Sequence, residues 1–383
     1  MNKFFAKLNV IFRDGNLRRR ILIVLGALAV FRLAASVPIP GVDILRLENY
    51  LSGNNFLGIF DILSGGGLSK LSVMMLGVGP YITASIIMQL LTLIFPSLKE
   101  LYHEEGEAGR RKVAQYSRLL SIPLAAFQGY AFLTLLSRNG VLGQLTTGGM
   151  LLNVFLVVAG AVLLMWIGEL ISEYGLGNGV SLIIFAGIVA RVPTAVQELY
   201  IGFDPSQLPL YVAFLVVMVV VIAGVVMITE GERPIPVTYA KRVRGMKVYG
   251  GVSTYLPIRV NNAGVMPIIF ALSILIFPQM LATFLGVSSN TILLSISQFF
   301  GLIVSNTWIY GFIYFVLVFV FTYFYSAVTF DPEAISTNLQ KSGAFIPGVR
   351  PGRSTAEFIA NILYRLTFIG ALFLGAIAIL PLI

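Results

Sequence analysis

The sequence predicts an all-α polytopic membrane protein. Of its 383 residues, 57% are hydrophobic and only 11% are charged, whereas a soluble domain carries about 25% charged residues. Long apolar segments alternate along the chain with loops that are by turns rich and poor in Lys and Arg. Because so few charges cannot cover soluble domains of this total length, we expect most of the protein surface to face lipid.

Nine apolar segments have about the 20 residues that a helix needs to cross a bilayer. Lys and Arg in short loops stay on the cytoplasmic side of a membrane, so they predict the orientation. With the N-terminus inside, 20 of the 26 basic residues fall on that side. The apolar residues 291–304 are too few to span and are interpreted as an interfacial piece. The predicted spans are residues 21–37, 71–95, 119–136, 150–171, 180–200, 210–227, 263–285, 306–330 and 358–380.

An internal repeat relates the two parts of the chain at an offset of 187 residues. The sequence GVGPYI beginning at Gly77 opens the second span, and GVMPII beginning at Gly264 opens the seventh. Five spans in each half is an odd number, which favours inverted halves, a plan common in transport proteins. We therefore expect a cytoplasmic amphipathic N-terminus (1–20) and two inverted five-helix halves around a central pore (21–200 and 201–383), with the tenth span missing from this chain.

Residues 55–70 break the pattern of spans and loops. Their first half is apolar, their second half contains Gly65, Gly66 and Gly67, and the segment is too short to cross a membrane. Successive glycines free the backbone and favour a hinge. Two interpretations are open: a movable re-entrant piece that folds back into the bundle, or an ordinary outer loop with a short interfacial helix.

Catalytic chemistry has no candidate residues in this sequence. Secondary transporters and pumps usually carry Asp, Glu, His or Arg at mid-membrane, but here Glu169 and Glu173 fall at the cytoplasmic end of the fourth span. The chain has no cysteine, one histidine, no H-E-x-x-H and no G-x-S-x-G. The sequence therefore predicts no enzyme, no metal and no cofactor, and it favours a passive conduit or a scaffold over a solute pump.

Two long loops, residues 230–260 and 331–356, concentrate basic residues on the predicted cytoplasmic side. The first has two β-prone runs around Arg244-Gly245, which predict a hairpin. The second holds Arg350 in a turn rich in proline and glycine. Basic tips bind phosphate without reading sequence, so a large anionic partner such as RNA is one interpretation. Charge that only sets topology is the other, and the length of the loops favours docking.

The loop motifs identify the chain as similar to the SecY family of bacterial protein-conducting channels over essentially its whole length. These motifs are PIPGV from Pro38, LSGGGL from Leu63, GPYITASII from Gly79, EGEAGRRK from Glu105, GLGNGVS from Gly175, YAKR from Tyr239 and FIPGVRPG from Phe345.

The resemblance implies a pore closed by a ring and a plug. The ring of bulky aliphatics would comprise Ile82, Ile86, Ile184, Ile188 and Ile269, with one more member on the missing tenth span. Such a collar has no hydrogen-bonding groups, so ions and water pass it poorly, while it can yield around a polypeptide. Residues 55–70 would be the plug, closing the channel from outside. Its named members are Phe56, Ile59, Phe60, Ile62, Leu63, Gly65, Gly66 and Gly67.

The resemblance also implies a lateral gate and a docking surface. Spans two and three against seven and eight would open toward lipid, tuned by Thr92, Gln128 and Asn261. The basic loops would meet the motor ATPase SecA or the ribosome. The docking residues are Lys241, Arg242, Arg244, Lys247 and Arg350.

The predicted function is to pass unfolded polypeptides across, or laterally into, the bacterial cytoplasmic membrane. The implied partners are the SecE and SecG subunits, SecA, the ribosome, signal peptides, nascent chains and membrane lipid. The alternatives are an ion- or solute-coupled transporter with inverted repeats, which a buried acidic residue facing the cavity would favour, and a non-conducting membrane scaffold, which would need neither glycine hinge nor repeat.

Overall fold

The structure is a computed structural model that describes most of the chain. The described residues are 13–43, 46–47, 61, 66–103, 105–143, 146–239, 242–244, 247–249, 253–286 and 290–382.

The described residues are mostly helical. In chain order the helices are α1 (Gly15–Ala34), α2 (Gly79–Ile94), α3 (Pro96–His103), α4 (Gly106–Arg138), α5 (Thr147–Tyr174), α6 (Gly179–Val189), α7 (Val192–Ile201), α8 (Leu208–Glu230), α9 (Met266–Leu285), α10 (Thr291–Ser305), α11 (Thr307–Thr329), α12 (Pro332–Lys341) and α13 (Arg353–Ile379). The strands are β1 (Glu232–Tyr239), β2 (Arg242–Arg244), β3 (Lys247–Tyr249), β4 (Ser253–Arg259) and β5 (Ala344–Phe345).

Six of the described helical segments are long and apolar enough to cross a membrane, and a seventh is formed if α2 and α3, which meet at 109°, count as one broken span. The chain is therefore a multi-pass membrane protein. Nine spans were predicted, and the other two fall on α1, which carries four arginines, and on α9, of which Met266–Leu275 is a short apolar helix. Helix α10, with 15 residues, is too short to span, as its length in the sequence predicted.

Helix α8 gives the most direct evidence that the surroundings of the protein are apolar. None of its residues is buried in the chain, and no charge occurs between Leu208 and Thr229. A soluble protein could not leave such a surface in water. Lipid is the environment in which an unburied helix of this composition is stable.

The chain divides into two compact units. The N-terminal unit comprises Met1–Phe203 and Ile276–Gly301, and the C-terminal unit comprises Asp204–Leu275 and Leu302–Ile383. In the N-terminal unit, α4 packs against α2 and α5, and α5 packs against α1 and α6. In the C-terminal unit, α13 packs against α11 and α12. The hydroxyls of Ser326 on α11 and Thr367 on α13 form a buried hydrogen bond of 3.0 Å.

The non-helical segment 37–43 organises one end of the N-terminal unit. Val37 accepts a hydrogen bond from the N–H of Val73, and Ile39 donates one to Leu71. Farther along, the N–H of Asp43 donates to Val141, and isolated bridges join Pro38 to Ser72 and Val42 to Leu142. The chain leaving α1 is thereby tied both to the segment before α2 and to the end of α4.

The predicted start of the second span at residue 71 is wrong, because α2 begins only at Gly79. Residues 71–78 are buried turns, with left-handed backbone at Leu71 (φ 41°) and Gly77 (φ 58°). The repeat predicted from the sequence is matched locally at this point. Gly264, 187 residues after Gly77, has φ 61°, and α9 begins two residues later, as α2 does after Gly77. The two motifs form the same helix start.

Gly160 on α5 tests the packing of the N-terminal unit. A Cβ built at Gly160 would overlap the carbonyl of Val73, whereas Gly148 on the same helix has no atom within 4 Å. We expect Gly160→Ala to lower the free energy of unfolding by about 1–3 kcal/mol through overpacking. Thermal unfolding in detergent measures this loss of stability, and Gly148→Ala is the control. An equal midpoint for the two variants would contradict this packing.

Candidate functional site

The five isoleucines of the predicted collar lie on α2, α6 and α9. Ile82 and Ile86 are one turn apart on α2, so they share a face of that helix, and both are buried. On α6, Ile184 is buried and Ile188 is 42% exposed. Ile269 is half-buried in the first turn of α9, where its carbonyl accepts a hydrogen bond from the Ser273 hydroxyl at 2.9 Å. All five therefore lie in regular helices, four in the N-terminal unit and Ile269 in the C-terminal unit.

Local hydrogen bonds set the position of α6. The side chain of Asn178 caps the helix by accepting from the N–H of Ser181 at 3.1 Å. The Ser172 hydroxyl accepts from the N–H of Gly179 at 2.8 Å. A Cβ at Gly179 would overlap the carbonyl of Gly168 on α5. This close approach explains Gly179 of the GLGNGVS motif and fixes α6, with its two isoleucines, against α5.

Most of the predicted plug lies outside the described residues: Phe56, Ile59, Phe60, Ile62, Leu63 and Gly65. Of its named members, Gly66 and Gly67 are described. Gly66 has φ 79° and donates its N–H to the carbonyl of Asp61 at 2.8 Å. A Cβ at Gly67 would lie 2.8 Å from the carbonyl oxygen of Met74. Both glycines are thus required by a hydrogen-bonded turn, and their use as a hinge stays a prediction.

An ion pair between Asp61 and Arg191 was missed by the sequence reasoning. The carboxylate is 1% exposed, and its Oδ2 contacts Nη2 of Arg191. Its Oδ1 accepts a hydrogen bond from the N–H of Ser69 at 2.8 Å. Each residue is a single charge within apolar sequence, which could have marked both as candidates. However, 130 residues separate them, and no local pattern pairs them. Asp61 is buried, as the transporter alternative requires, yet its carboxylate is engaged by a cation and a backbone donor.

One acidic residue of the fourth span is engaged by a cation. Glu169, near the end of α5, makes an ion pair with Arg118 on α4. Among the described residues, no group of three or more Asp, Glu or His side chains is arranged to hold a metal ion.

The three predicted lateral-gate residues are buried polar side chains in separate elements. Thr92 on α2 donates to the carbonyl of Gln89 at 2.7 Å. Gln128 lies on α4, which packs against α2. Asn261 lies in the C-terminal unit, 3.9 Å from a Cβ built at Gly370 of α13. Among the described residues, Oδ1 of Asn261 has no hydrogen-bond partner.

The two basic loops form one platform, a pairing that the sequence did not reveal. Strand β1 pairs with β4 on one side and β5 on the other, so Thr238 lies opposite both Ser253 and Phe345. Beneath the sheet lies an apolar cluster that includes residues from α13. Its buried members are Ile235, Val237, Ile258, Ala344, Ile346, Ile359 and Leu363.

The predicted docking residues occupy two parts of this platform. Arg242, Arg244 and Lys247 lie in the β2–β3 ribbon, where Arg244 is paired with Lys247, as the predicted hairpin around Arg244-Gly245 requires. Lys241 lies outside the described residues. Arg350 is exposed, and the buried Thr355 hydroxyl donates to its carbonyl at 2.8 Å.

The glycines beside Arg350 fix the shape of its loop. Gly348 has φ 85° and Gly352 has φ 99°. The Ser336 hydroxyl on α12 donates to the Gly352 carbonyl at 2.6 Å. The exposed guanidinium of Arg350 therefore belongs to a turn that these hydrogen bonds hold in place.

Comparison with known proteins identifies relatives over nearly the whole chain. A family model described as SecY matches residues 72–383. The protein translocase subunit SecY of Synechococcus elongatus is 45% identical over 373 residues, which cover 95% of this chain and 84% of the relative.

Two solved structures share the fold. One is a SecY protein whose plug domain is described as stabilising the closed state of the translocation channel; its TM-score is 0.64 at 18% identity, covering 95% of this chain and 85% of that one. The other is Sec61 in a canine ribosome–channel complex, with a TM-score of 0.57 at 17% identity, covering 94% and 84%. These matches confirm the predicted fold class.

Thr355 tests the anchoring of the Arg350 loop. Thr355→Val keeps the shape of the side chain but removes the hydrogen bond to the Arg350 carbonyl. We expect the local opening free energy of residues 346–352 to fall by about 1 kcal/mol, which hydrogen exchange would detect as roughly fivefold faster exchange. The control is Thr337→Val, whose exposed hydroxyl bonds only within α12. Equal exchange in both variants would show that this hydrogen bond does not hold the loop.

Proposed function

Because this chain is a protein translocase subunit of the SecY family, we propose that unfolded polypeptides cross, or enter laterally, the cytoplasmic membrane through an aliphatic collar in its helices. The observation that carries the proposal is the match to SecY proteins over nearly the whole chain. The structure contributes helices that carry the predicted collar isoleucines and no acidic relay among the described residues of α2, α6 and α9. The N-terminus would be cytoplasmic.

The collar would consist of Ile82, Ile86, Ile184, Ile188 and Ile269. Branched aliphatic side chains offer no hydrogen bond to water or to an ion, so a ring of them raises the barrier to both. Contacts between aliphatic side chains are non-directional, so the ring can fit around a polypeptide of varied sequence. No covalent step is required of this chain, and energy would come from a partner that hydrolyses nucleotide or from chain elongation.

Residues 55–70 would close the collar from outside as a plug. The turn at Gly66 and Gly67 supports this proposal, because it ties the segment to the backbone that immediately precedes α2. Thr92, Gln128 and Asn261 would tune a lateral gate. The unpartnered Oδ1 of Asn261 favours such a role, since hydration lowers the free energy of a buried acceptor that has no donor.

The platform of β1, β4 and β5 would receive the motor ATPase SecA or the ribosome, and SecE and SecG would complete the assembly. A ribosome is present in the complex of the canine structural relative. Exposed Arg350 and the basic positions of the β2–β3 ribbon suit contact with phosphate. Signal peptides, nascent chains and lipid would be the remaining partners.

The alternative function, an ion- or solute-coupled transporter, is not favoured by these observations. It would use an acidic group that takes up and releases ions, whereas the carboxylate of Asp61 is engaged by Arg191 and Ser69.

Site-specific crosslinking tests the proposed path. A photoreactive residue is placed at Ile82 or Ile269, and a secretory polypeptide is stalled during translocation. We expect crosslinks at both positions, because a threaded chain must contact the collar. The control is Val219 on α8, which is 60% exposed on the helix without buried residues. Crosslinks at Val219 but not at Ile82 or Ile269 would contradict a path through the bundle.

Substitution of the collar tests its role as a barrier. Ile82→Asn with Ile86→Asn places polar groups where the ring excludes ions, so we expect a rise in ion leak of about tenfold or a relaxed choice of substrates. The control is Ile183→Asn, since Ile183 is equally buried but lies 3.5 Å from a Cβ built at Gly168 and packs on α5. That variant should lower the yield of folded protein without a specific leak. Unchanged leak and selectivity in the double variant would show that the collar lies elsewhere.

A further inference from the structure

A cavity with a volume of about 630 Å³ opens where α1 begins and α5 ends. Helix α1 packs against α5, and a Cβ built at Gly175, the residue after α5, would lie 2.8 Å from Cγ2 of Val24. The cavity lies beside this contact, toward the helix ends, and within the N-terminal unit. Four of its lining residues are charged: Asp14, Arg19, Arg20 and Glu173.

The cavity lies at the level where both helices change from polar to apolar sequence. Residues 18–20 are all arginine, and residues 21–31 of α1 carry no charge. Helix α5 has no charged residue before Glu169, and its last turn holds Glu173 and Tyr174. Arginine and tyrosine at the two ends of an apolar stretch are typical of the boundary between membrane and water. The cavity therefore opens into the layer of lipid headgroups.

The charged side chains around the cavity have both signs but do not neutralise one another by direct contact. Within the described part of the chain, Arg19, Arg20 and Glu173 form no ion pair. Asp14 is engaged in capping α1, because its Oδ1 accepts from the N–H of Asn16 at 2.9 Å. With two cations and two anions, the charged lining is neutral as a whole. It therefore suits a ligand that itself carries both charges more than it suits an anion.

We propose that this cavity binds the headgroup of a zwitterionic phospholipid with a primary ammonium group, of the phosphatidylethanolamine class. The guanidinium groups of Arg19 and Arg20 would donate to the phosphate, since a planar guanidinium suits phosphate oxygens. The ammonium would donate to the carboxylate of Glu173, which a trimethylated ammonium, having no N–H, cannot do. The apolar side chains of Ile23 and Leu176 in the lining would contact the glycerol and the upper acyl chains.

The surface beside the cavity indicates that the ligand comes from the membrane. Leu22 and Leu25 on α1 are 60% and 57% exposed, so an apolar surface continues from the headgroup level along the helix. Acyl chains attached to a bound headgroup would cover this surface. The inference concerns lipid alone and does not depend on the proposed path of the polypeptide.

The test measures lipid retained by the purified, assembled translocase in native mass spectrometry, with equimolar phosphatidylethanolamine, phosphatidylcholine and phosphatidylglycerol as probes. We expect phosphatidylethanolamine to be retained about fivefold more than either competitor. Arg19→Gln with Arg20→Gln should lower its retention about tenfold, because the phosphate loses both cations. The matched control is Arg18→Gln, an exposed arginine outside the lining, which should retain lipid like the unchanged protein. The three arginines are exposed, so these variants should fold normally.

Glu173→Gln tests the zwitterion by the sign of its effect. The variant gives the charged lining a net positive charge and removes the anionic partner of the ammonium. We therefore expect the preference to invert, with phosphatidylglycerol retained about fivefold more than phosphatidylethanolamine. A structural role of Glu173 would not change the choice of headgroup.

Three results would overturn the proposal. An unchanged preference in Glu173→Gln would rule out the zwitterionic site. An equal loss of lipid in Arg18→Gln and in the double arginine variant would show attraction to surface charge in general. Displacement of the lipid by water-soluble glycerophosphoethanolamine would show that the ligand comes from solution and not from the membrane.

Discussion

Hydrocarbon offers no hydrogen bonds, and this constraint explains how the irregular segments 37–43 and 71–78 are built. Within the N-terminal unit, residues 37–43 and 71–78 are not helical, yet their backbone groups find partners in each other and in 141–143. Breaks in membrane helices are tolerated only where protein satisfies the freed groups. One such irregular segment, residues 71–78, immediately precedes α2, the helix that carries the proposed collar residues Ile82 and Ile86.

The same constraint explains where charge is kept. Two cations on or beside the apolar helices are paired with acidic residues, Arg118 with Glu169 and Arg191 with Asp61. The proposed collar positions on α2 and α6 are aliphatic. A conduit for polypeptides of any sequence benefits from such a lining, because a fixed charge would attract some segments and repel others.

Sequence reasoning succeeded where structure follows local composition. Hydropathy located a helix for each predicted span, and the repeat located the matching starts of α2 and α9 at Gly77 and Gly264. It failed at residues 71–78, because apolar composition does not distinguish a buried turn from a helix. It also missed the pairing of β1 with β5 and the contact of Asp61 with Arg191. Both join residues about 100 or more positions apart, a separation at which no short-range pattern carries information.

The sheet that unites the two basic loops has a mechanical consequence. Strand β5 is only two residues long, but it is hydrogen-bonded to β1 and its flanking residues share a core with Ile359 and Leu363 of α13. A force applied to one loop is therefore transmitted through β1 and β5 to the other loop and to α13, a helix of 27 residues. A partner that pushes on this surface would therefore press on a sheet that is packed against α13, and not on two separate loops.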